Sequence, residues 1–391
     1  MSRRFIALIS LLMLILAVGL GGLFTYRNPG VQQYLRGRAA EAVMVDYVDN
    51  AVLKTLELIV VDMQDLQTAA AQLQADPTQQ NLDDAAQAWL NAYGCWMQDV
   101  AFQFGPATQY DYHKRLATWP TETVLVGQLI SEIETGELTL DARTLREEHF
   151  SGMRGLYTAQ YLLFRNGQPR KVATMTPAER IYLTVVTDAL VQDSIDFEAA
   201  WRGTDNMPKD KLVILEAGGF KHHLGYAYEV KYPGVPGGVY ASVSVTLQEA
   251  IQDLGGAVED IMPQVGELRD NLGQSPDAYW DRIAPYDDLL NQVKSFENGY
   301  LGGVEGFRER SISDLVAEHD EALDRLIRIS IAHCEYRIKV ARDSQDLSEE
   351  EQDLALRVVE GELDKLNARL AAANPMVVLD PATRPYAAYV Q

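Results

Sequence analysis

Residues 41–77, EAVMVDYVDNAVLKTLELIVVDMQDLQTAAAQLQADP, decide the fold class. Val43, Tyr47, Val52, Leu56, Ile59, Met63 and Leu66 recur mostly at three- and four-residue spacing, which gathers them into one stripe on a helix. On a strand the same residues would scatter over both faces. Asp76-Pro77 closes the helix, because the residue before proline is pushed out of the α region. The pattern continues downstream and predicts helices over 82–104, 121–134, 144–165 and 177–201. Thr176-Pro177-Ala178-Glu179 is a start signal, with a capping hydroxyl, proline in the first turn and glutamate three residues after the cap.

A Gly/Pro-rich break, 231–238, opens the second half. Helices are predicted beyond it over 244–272, 277–297, 311–343 and 348–373, the last beginning at the capping box Ser348-Glu349-Glu350-Glu351. The only strand-like text, Val239–Val245, is too short to found a sheet. No short-period repeat appears, which argues against a solenoid. The expectation is an all-α chain, two packed helical bundles after an N-terminal hydrophobic helix. The first bundle takes residues 40–205 and the second 240–375.

The chain has 391 residues and a formal charge of −22, from 56 acidic and 34 basic side chains. Arg3, Arg4 and Arg27 all precede the first acid, Glu41. Residues 31–391 therefore hold 31 basic and 56 acidic side chains, a charge of −25. Such a body repels phosphate backbones and anionic lipid, so nucleic acid is excluded as a partner. A cationic ligand or a basic envelope protein partner stays open.

An uncharged apolar run over residues 5–26 follows Arg3 and Arg4. At ~1.5 Å per residue it is long enough to span a bilayer as a helix. Residues 1–30 read either as a signal anchor or as a cleaved signal peptide. The run exceeds the usual apolar core of a signal peptide, and no A-x-A site ends it. The two arginines favour an inside N-terminus and place the body in the periplasm or cell envelope, held at the membrane by residues 5–26 if uncleaved. Cys95 and Cys334, the only cysteines, either pair or stay as buried free thiols.

Motifs with general chemistry are absent: no H-E-x-x-H, G-x-S-x-G, P-loop or C-x-x-C occurs. The Gly-rich segment 299–306 lacks the Lys-Ser/Thr of a phosphate cradle and reads as a turn. None of the six histidines, His113, His149, His222, His223, His319 and His333, has Asp or Glu three or four residues away. Helical metal sites draw on that spacing. His222 and His223 would point ~100° apart on a helix, and His319 and His333 would lie ~21 Å apart on one.

Gly155-Leu156-Tyr157-Thr158-Ala159-Gln160-Tyr161-Leu162-Leu163-Phe164 resembles the signature helix of the imelysin family, peptidase family M75. Trp89-Leu90-Asn91-Ala92, Ala101-Phe102-Gln103-Phe104-Gly105-Pro106 and Leu116-Ala117-Thr118-Trp119-Pro120 resemble landmarks upstream. Arg180-Ile181-Tyr182-Leu183 with Trp201, and Ser311-Ile312-Ser313-Asp314-Leu315-Val316, resemble landmarks downstream. Their order and spacing cover about residues 45 to 340. The resemblance implies a relation to iron-regulated envelope proteins and to the periplasmic component of some ferrous-iron uptake systems. The family pattern is G-x-H-x-x-E, whose His and Glu would offer an imidazole and a carboxylate to a metal. This chain has Tyr157 and Gln160 instead, and Val100 where the family often has an acid. A phenol with a pKa near ~10 is a weak ligand, and a carboxamide offers only a neutral carbonyl.

Gly155, Tyr157 and Gln160 are thus expected to be a degenerate ligand-binding motif, with no catalytic or metal residue among them. Residues 153, 156, 157, 160, 163 and 164 are expected to form one buried face. Iron or another divalent cation remains the cofactor that a rebuilt site would take, with ligands from other helices, since His149 would lie ~16 Å from Gln160 on a continuous helix. The expected function is a non-catalytic envelope protein binding a ligand or partner and linked to iron acquisition. The alternatives are a metallopeptidase, or a scaffold without a small ligand.

Overall fold

The computed structural model describes residues 29–220, 225–274 and 283–377, with side chains from residue 35. Helix α1, Pro29–Asp46, passes through one π-helical turn, Tyr47–Val52, into α2, Leu53–Ala75. The wider turn absorbs the five-residue step from Tyr47 to Val52, so both side chains stay buried on the same stripe. Asp76 then leaves the helix with an extended backbone, as Pro77 requires. Thr78 accepts from the Asn81 N–H and starts α3, Gln79–Met97. After α4, Thr123–Thr135, and α5, Leu156–Leu163, comes α6, Pro177–Arg202. Both halves of the capping box at Thr176 and Glu179 are formed. Helices α2, α3 and α6 pack together, α5 leans on α3 and α6, and α4 lies on α6. Leu56, Ile59, Met63, Trp89, Leu183, Phe197 and Trp201 fill the space between them.

The second group comprises α7, Val243–Asp270, α8, Pro285–Tyr300, α9, Ile312–His319, α10, Glu321–Asp343, and α11, Glu349–Val377. Helix α7 packs on α8, α8 on α10, α10 on α11 and α11 on α7, which closes a four-helix bundle. The two bundles share a continuous apolar core. At their junction α8 meets α3, while α7 meets α1 and the 3-10 turn Val100–Phe102. Gly299 permits this approach: a Cβ there would sit 2.7 Å from Leu254 Cδ2 and 3.3 Å from Phe102 Cε1.

The all-α expectation holds. Among the described residues the only strands are a two-stranded hairpin, Phe164–Arg165 with Gln168–Pro169. Asn166 and Gly167 form its turn, both at positive φ, the conformation that an Asn-Gly turn demands. Val239–Val245 is not a strand. Helix α7 begins at Val243, because Val243, Leu247, Ala250, Ile251 and Leu254 all find the core at helical spacing. The predicted helix 144–165 is broken into Ala142–Leu145, a 3-10 stretch Glu148–Met153, and α5. The predicted helix 311–343 divides at Asp320, whose carboxylate accepts from the Leu323 N–H and caps α10.

Cys95 and Cys334 are free and buried. The apolar run 5–26 and the pair His222–His223 lie outside the described residues. Among the described residues no helix is long and apolar enough to cross a membrane. Truncating Leu254 at the junction removes a fully buried side chain from between the bundles. Leu254→Ala is expected to cost about 2–5 kcal/mol, read as a lower urea midpoint with an unchanged slope.

Candidate functional site

Gly155 sets the start of α5. Its φ is +91°, and a Cβ there would lie 2.8 Å from the Leu116 carbonyl oxygen. Only glycine satisfies both the backbone and that close approach. The indole N–H of Trp89 on α3 donates to the Leu156 carbonyl at 2.8 Å, which ties the first turn of α5 to α3. Trp89 also stacks on Tyr93 at 4.8 Å and meets Phe164 edge-on at 5.2 Å. Tyr157 continues the column: its hydroxyl lies 2.9 Å from that of Tyr93, and its ring sits 4.7 Å from Trp119. Tyr157 is half-buried, and Gln160 is buried one turn further on. Met153, Leu156, Gln160, Leu163 and Phe164 of the expected face are buried, while Tyr157 on the same face is only half-buried.

This donor set does not suit a metal ion. The phenol of Tyr157 is committed to a second phenol, and Gln160 brings no charge. No group of three or more His, Cys, Asp or Glu side chains that could hold a metal occurs among the described residues. His149 is exposed and sits 3.7 Å from Glu147, on the 3-10 side of the Gly155 break. The continuous helix that would have aligned His149 with Gln160 therefore does not exist. Behind the motif, Arg146 on the Ala142–Leu145 turn bonds both Asp193, at 2.9 Å, and Asp196. Burial lifts Asp196 to about 6 against the pull of Arg146. This cluster fixes the 142–154 segment to α6.

A second set of polar groups lies at the junction of the bundles. The Tyr47 hydroxyl, both carboxylate oxygens of Asp99, Asp253 Oδ2 and both amide atoms of Asn298 are buried without a partner within the protein. Burial, then Asp253, Asp99 and Glu249, holds the Tyr47 phenol well above its ordinary pKa. Glu249 and Asp253 sit four residues apart on α7, hence on one face. Tyr240 donates to Glu249, and since a phenol has one proton, Tyr226 donates to Tyr240. Burial, then the neighbouring Glu249, raises Asp253 to about 7.

The family model described as Imelysin, peptidase M75, matches residues 52–370.

The chain belongs to the imelysin family.

Among imelysin relatives, the iron-regulated protein A of Synechococcus elongatus is 26% identical over 172 residues, which is 44% of this chain and 43% of that protein. The match thus spans less than half the length of that relative. A putative iron-regulated protein A precursor from Parabacteroides distasonis superposes with a TM-score of 0.67 at 20% identity, covering 87% of this chain and 95% of that one. An imelysin-like protein from Psychrobacter arcticum gives 0.56 at 12% identity, covering 87% and 93%. These two structures are similar in fold.

The motif brings Gly155, Tyr157 and Gln160 onto one short helix, with Gly155 serving the backbone. Tyr93 and Trp119 complete the aromatic column; Trp119 belongs to a family landmark and Tyr93 follows one, and neither carried a chemical signal in the sequence. The junction cluster was missed as a group, and only the i, i+4 spacing of Glu249 and Asp253 could have announced it. Two outcomes follow. Tyr157→Phe removes the phenol pair, a loss of about 0.5–1.5 kcal/mol of stability read from thermal unfolding, whereas Gly155→Ala is expected to cost more because its backbone is also strained. For Asp253, a folded pKa near 7 against an ordinary 3.8 means that the native state prefers the proton. Its stabilising contribution is present below about pH 4 and lost as the pH rises to about 7. Asp253→Asn, which leaves Asp99, Glu249, Tyr47 and Tyr226 in place, should match the parent chain at pH 4 and exceed its urea midpoint at pH 8.

Proposed function

We propose that this chain is a non-catalytic cell-envelope member of the imelysin family that binds a ligand or partner and serves iron acquisition. The single observation that carries the reading is the Tyr157–Tyr93 phenol pair, set into the aromatic column where the family pattern has a histidine. Peptide hydrolysis needs a water activated by a metal or by a general base. Neither Tyr157 nor Gln160 supplies one: the phenol is hydrogen-bonded to a second phenol, and the carboxamide has no basic site. The envelope location is supported by the apolar run 5–26 behind Arg3 and Arg4. The link to iron is supported by the name of the Synechococcus elongatus relative. The charge of −25 on residues 31–391 favours a cationic ligand or a basic partner.

The test is an assay of the full chain in mild detergent against unblocked peptides, with Zn²⁺ and Fe²⁺ added in turn, beside Tyr157→Phe and Gln160→Ala. No hydrolysis and no saturable metal site that depends on Tyr157 or Gln160 is the expected result. Metal-dependent cleavage that Tyr157→Phe abolishes would overturn the reading in favour of a metallopeptidase.

A further inference from the structure

The junction cluster has a chemical character of its own. Asp99 is completely buried, yet neither of its oxygens meets a donor within the protein. A buried carboxylate of this kind must hold a proton or neutralise a cation. Tyr47 and Asn298 are equally buried, and their polar atoms are also unpartnered, so the unmet demand is not confined to acids. Asp99, Glu249 and Asp253 act on Tyr47 from separate parts of the chain. Tyr47 lies in the π-helical turn, Asp99 beside the Val100–Phe102 turn, Glu249 and Asp253 on α7, and Asn298 on α8. A Cβ on Gly299, the next residue, would lie 3.5 Å from the Tyr47 ring.

The charges that act on the Tyr47 and Tyr226 phenols and on Asp253 come from carboxylates, Asp99, Glu229, Glu249 and Asp253 among them. Two cations on neighbouring elements have other partners. Lys231, on the same short helix as Tyr226, pairs with Asp49 at 2.7 Å, and Arg202, next to Trp201, pairs with Glu57 and Glu198. The walls are aromatic: Tyr47 meets Phe102 edge-on at 5.8 Å, while Tyr226 meets Trp201 at 5.1 Å and Tyr240 at 5.8 Å. Glu249 and Asp253 are only partly buried and form the outer end, with Asp99 and Tyr47 innermost.

We propose that this junction, where Asp99, Glu249, Asp253 and the phenols of Tyr47, Tyr226 and Tyr240 meet, binds a small organic cation with ammonium groups, of the linear diamine class. An ammonium carries three donors and no acceptor, which matches a site of carboxylates and phenol oxygens. Aromatic rings attract it further through their π faces. The acids lie on two elements at different depths, Asp99 fully buried and Glu249 with Asp253 nearer the surface, which favours two charges over one. A bare metal ion fits less well, because no three acidic, thiol or imidazole groups among the described residues are grouped to hold one. The proposal rests on the reading of this chain as a ligand binder, and it names the ligand class.

Calorimetric titration of the full chain with putrescine and with spermidine tests it, with Mn²⁺ and Ca²⁺ as inorganic probes. Saturable binding of about one diamine per chain is expected, weakened at least about tenfold by Asp99→Asn, Asp253→Asn or Tyr47→Phe. Asp346→Asn, which removes an exposed acid elsewhere, should leave it unchanged. Circular dichroism verifies folding, and if Asp99→Asn fails to fold, Asp253→Asn and Tyr47→Phe decide. Absence of saturable diamine binding overturns the site, as does equal weakening by Asp346→Asn. Tighter binding of Mn²⁺ or Ca²⁺ than of putrescine, sensitive to Asp253→Asn, also overturns it in favour of a metal. Failure here without peptide hydrolysis leaves the non-catalytic reading standing, whereas hydrolysis would defeat that reading by itself.

Discussion

The Trp89 indole N–H donating to the Leu156 carbonyl holds the motif helix in place. Helix α5 is only two turns long, too short to be stable alone, so its position depends on what it packs against. Trp89 supplies the anchor, and Tyr93, one turn along α3, supplies the phenol that meets Tyr157. Trp119 covers Tyr157 from the 116–120 segment, whose backbone also presses on Gly155. The sites at which an imidazole and a carboxylate would face a metal are thereby occupied by packing and hydrogen bonding. A side chain bonded in this way is held to one rotamer, which suits a structural surface better than a reactive one.

Much of the fold was legible in the sequence. The stripe from Val43 to Leu66, the box at Thr176 and the box at Ser348 all correspond to local energetics, and helices of 19 to 29 residues follow from them. The breaks were harder to see. Gly155 interrupts a run of good helix formers because of its contact with Leu116, some forty residues away in sequence. Asp320 divides α9 from α10 by capping, and an aspartate inside an apolar-periodic segment signals this only weakly. The π-helical turn at Tyr47–Val52 was visible as a five-residue step in the stripe, though not as a bend in the hydrogen bonding.

The candidate site was legible in part. Tyr157 and Gln160 stood out because the family pattern marks their positions, and their chemistry could be read from residue type alone. Their partners could not. Tyr93 is sixty-four residues from Tyr157, and nothing in its surroundings distinguishes it from any aromatic on an amphipathic helix. The junction cluster is harder still, since Tyr47, Asp99, Asp253 and Asn298 come from four elements and each reads as ordinary by itself. The net charge of −22 excludes a nucleic-acid partner. Most of the acids are indeed solvated or paired, while a few are buried where the two bundles meet, and the chemical individuality of the chain lies in those few.

The central claim is that Tyr157 serves packing rather than metal binding. Adding Fe³⁺ to the full chain at neutral pH and recording the visible spectrum tests it directly, since a phenolate bound to ferric iron gives a strong charge-transfer band. The account predicts no such band, with the spectrum of Tyr157→Phe indistinguishable from that of the parent chain. A saturable band at one iron per chain, abolished by Tyr157→Phe, would contradict it.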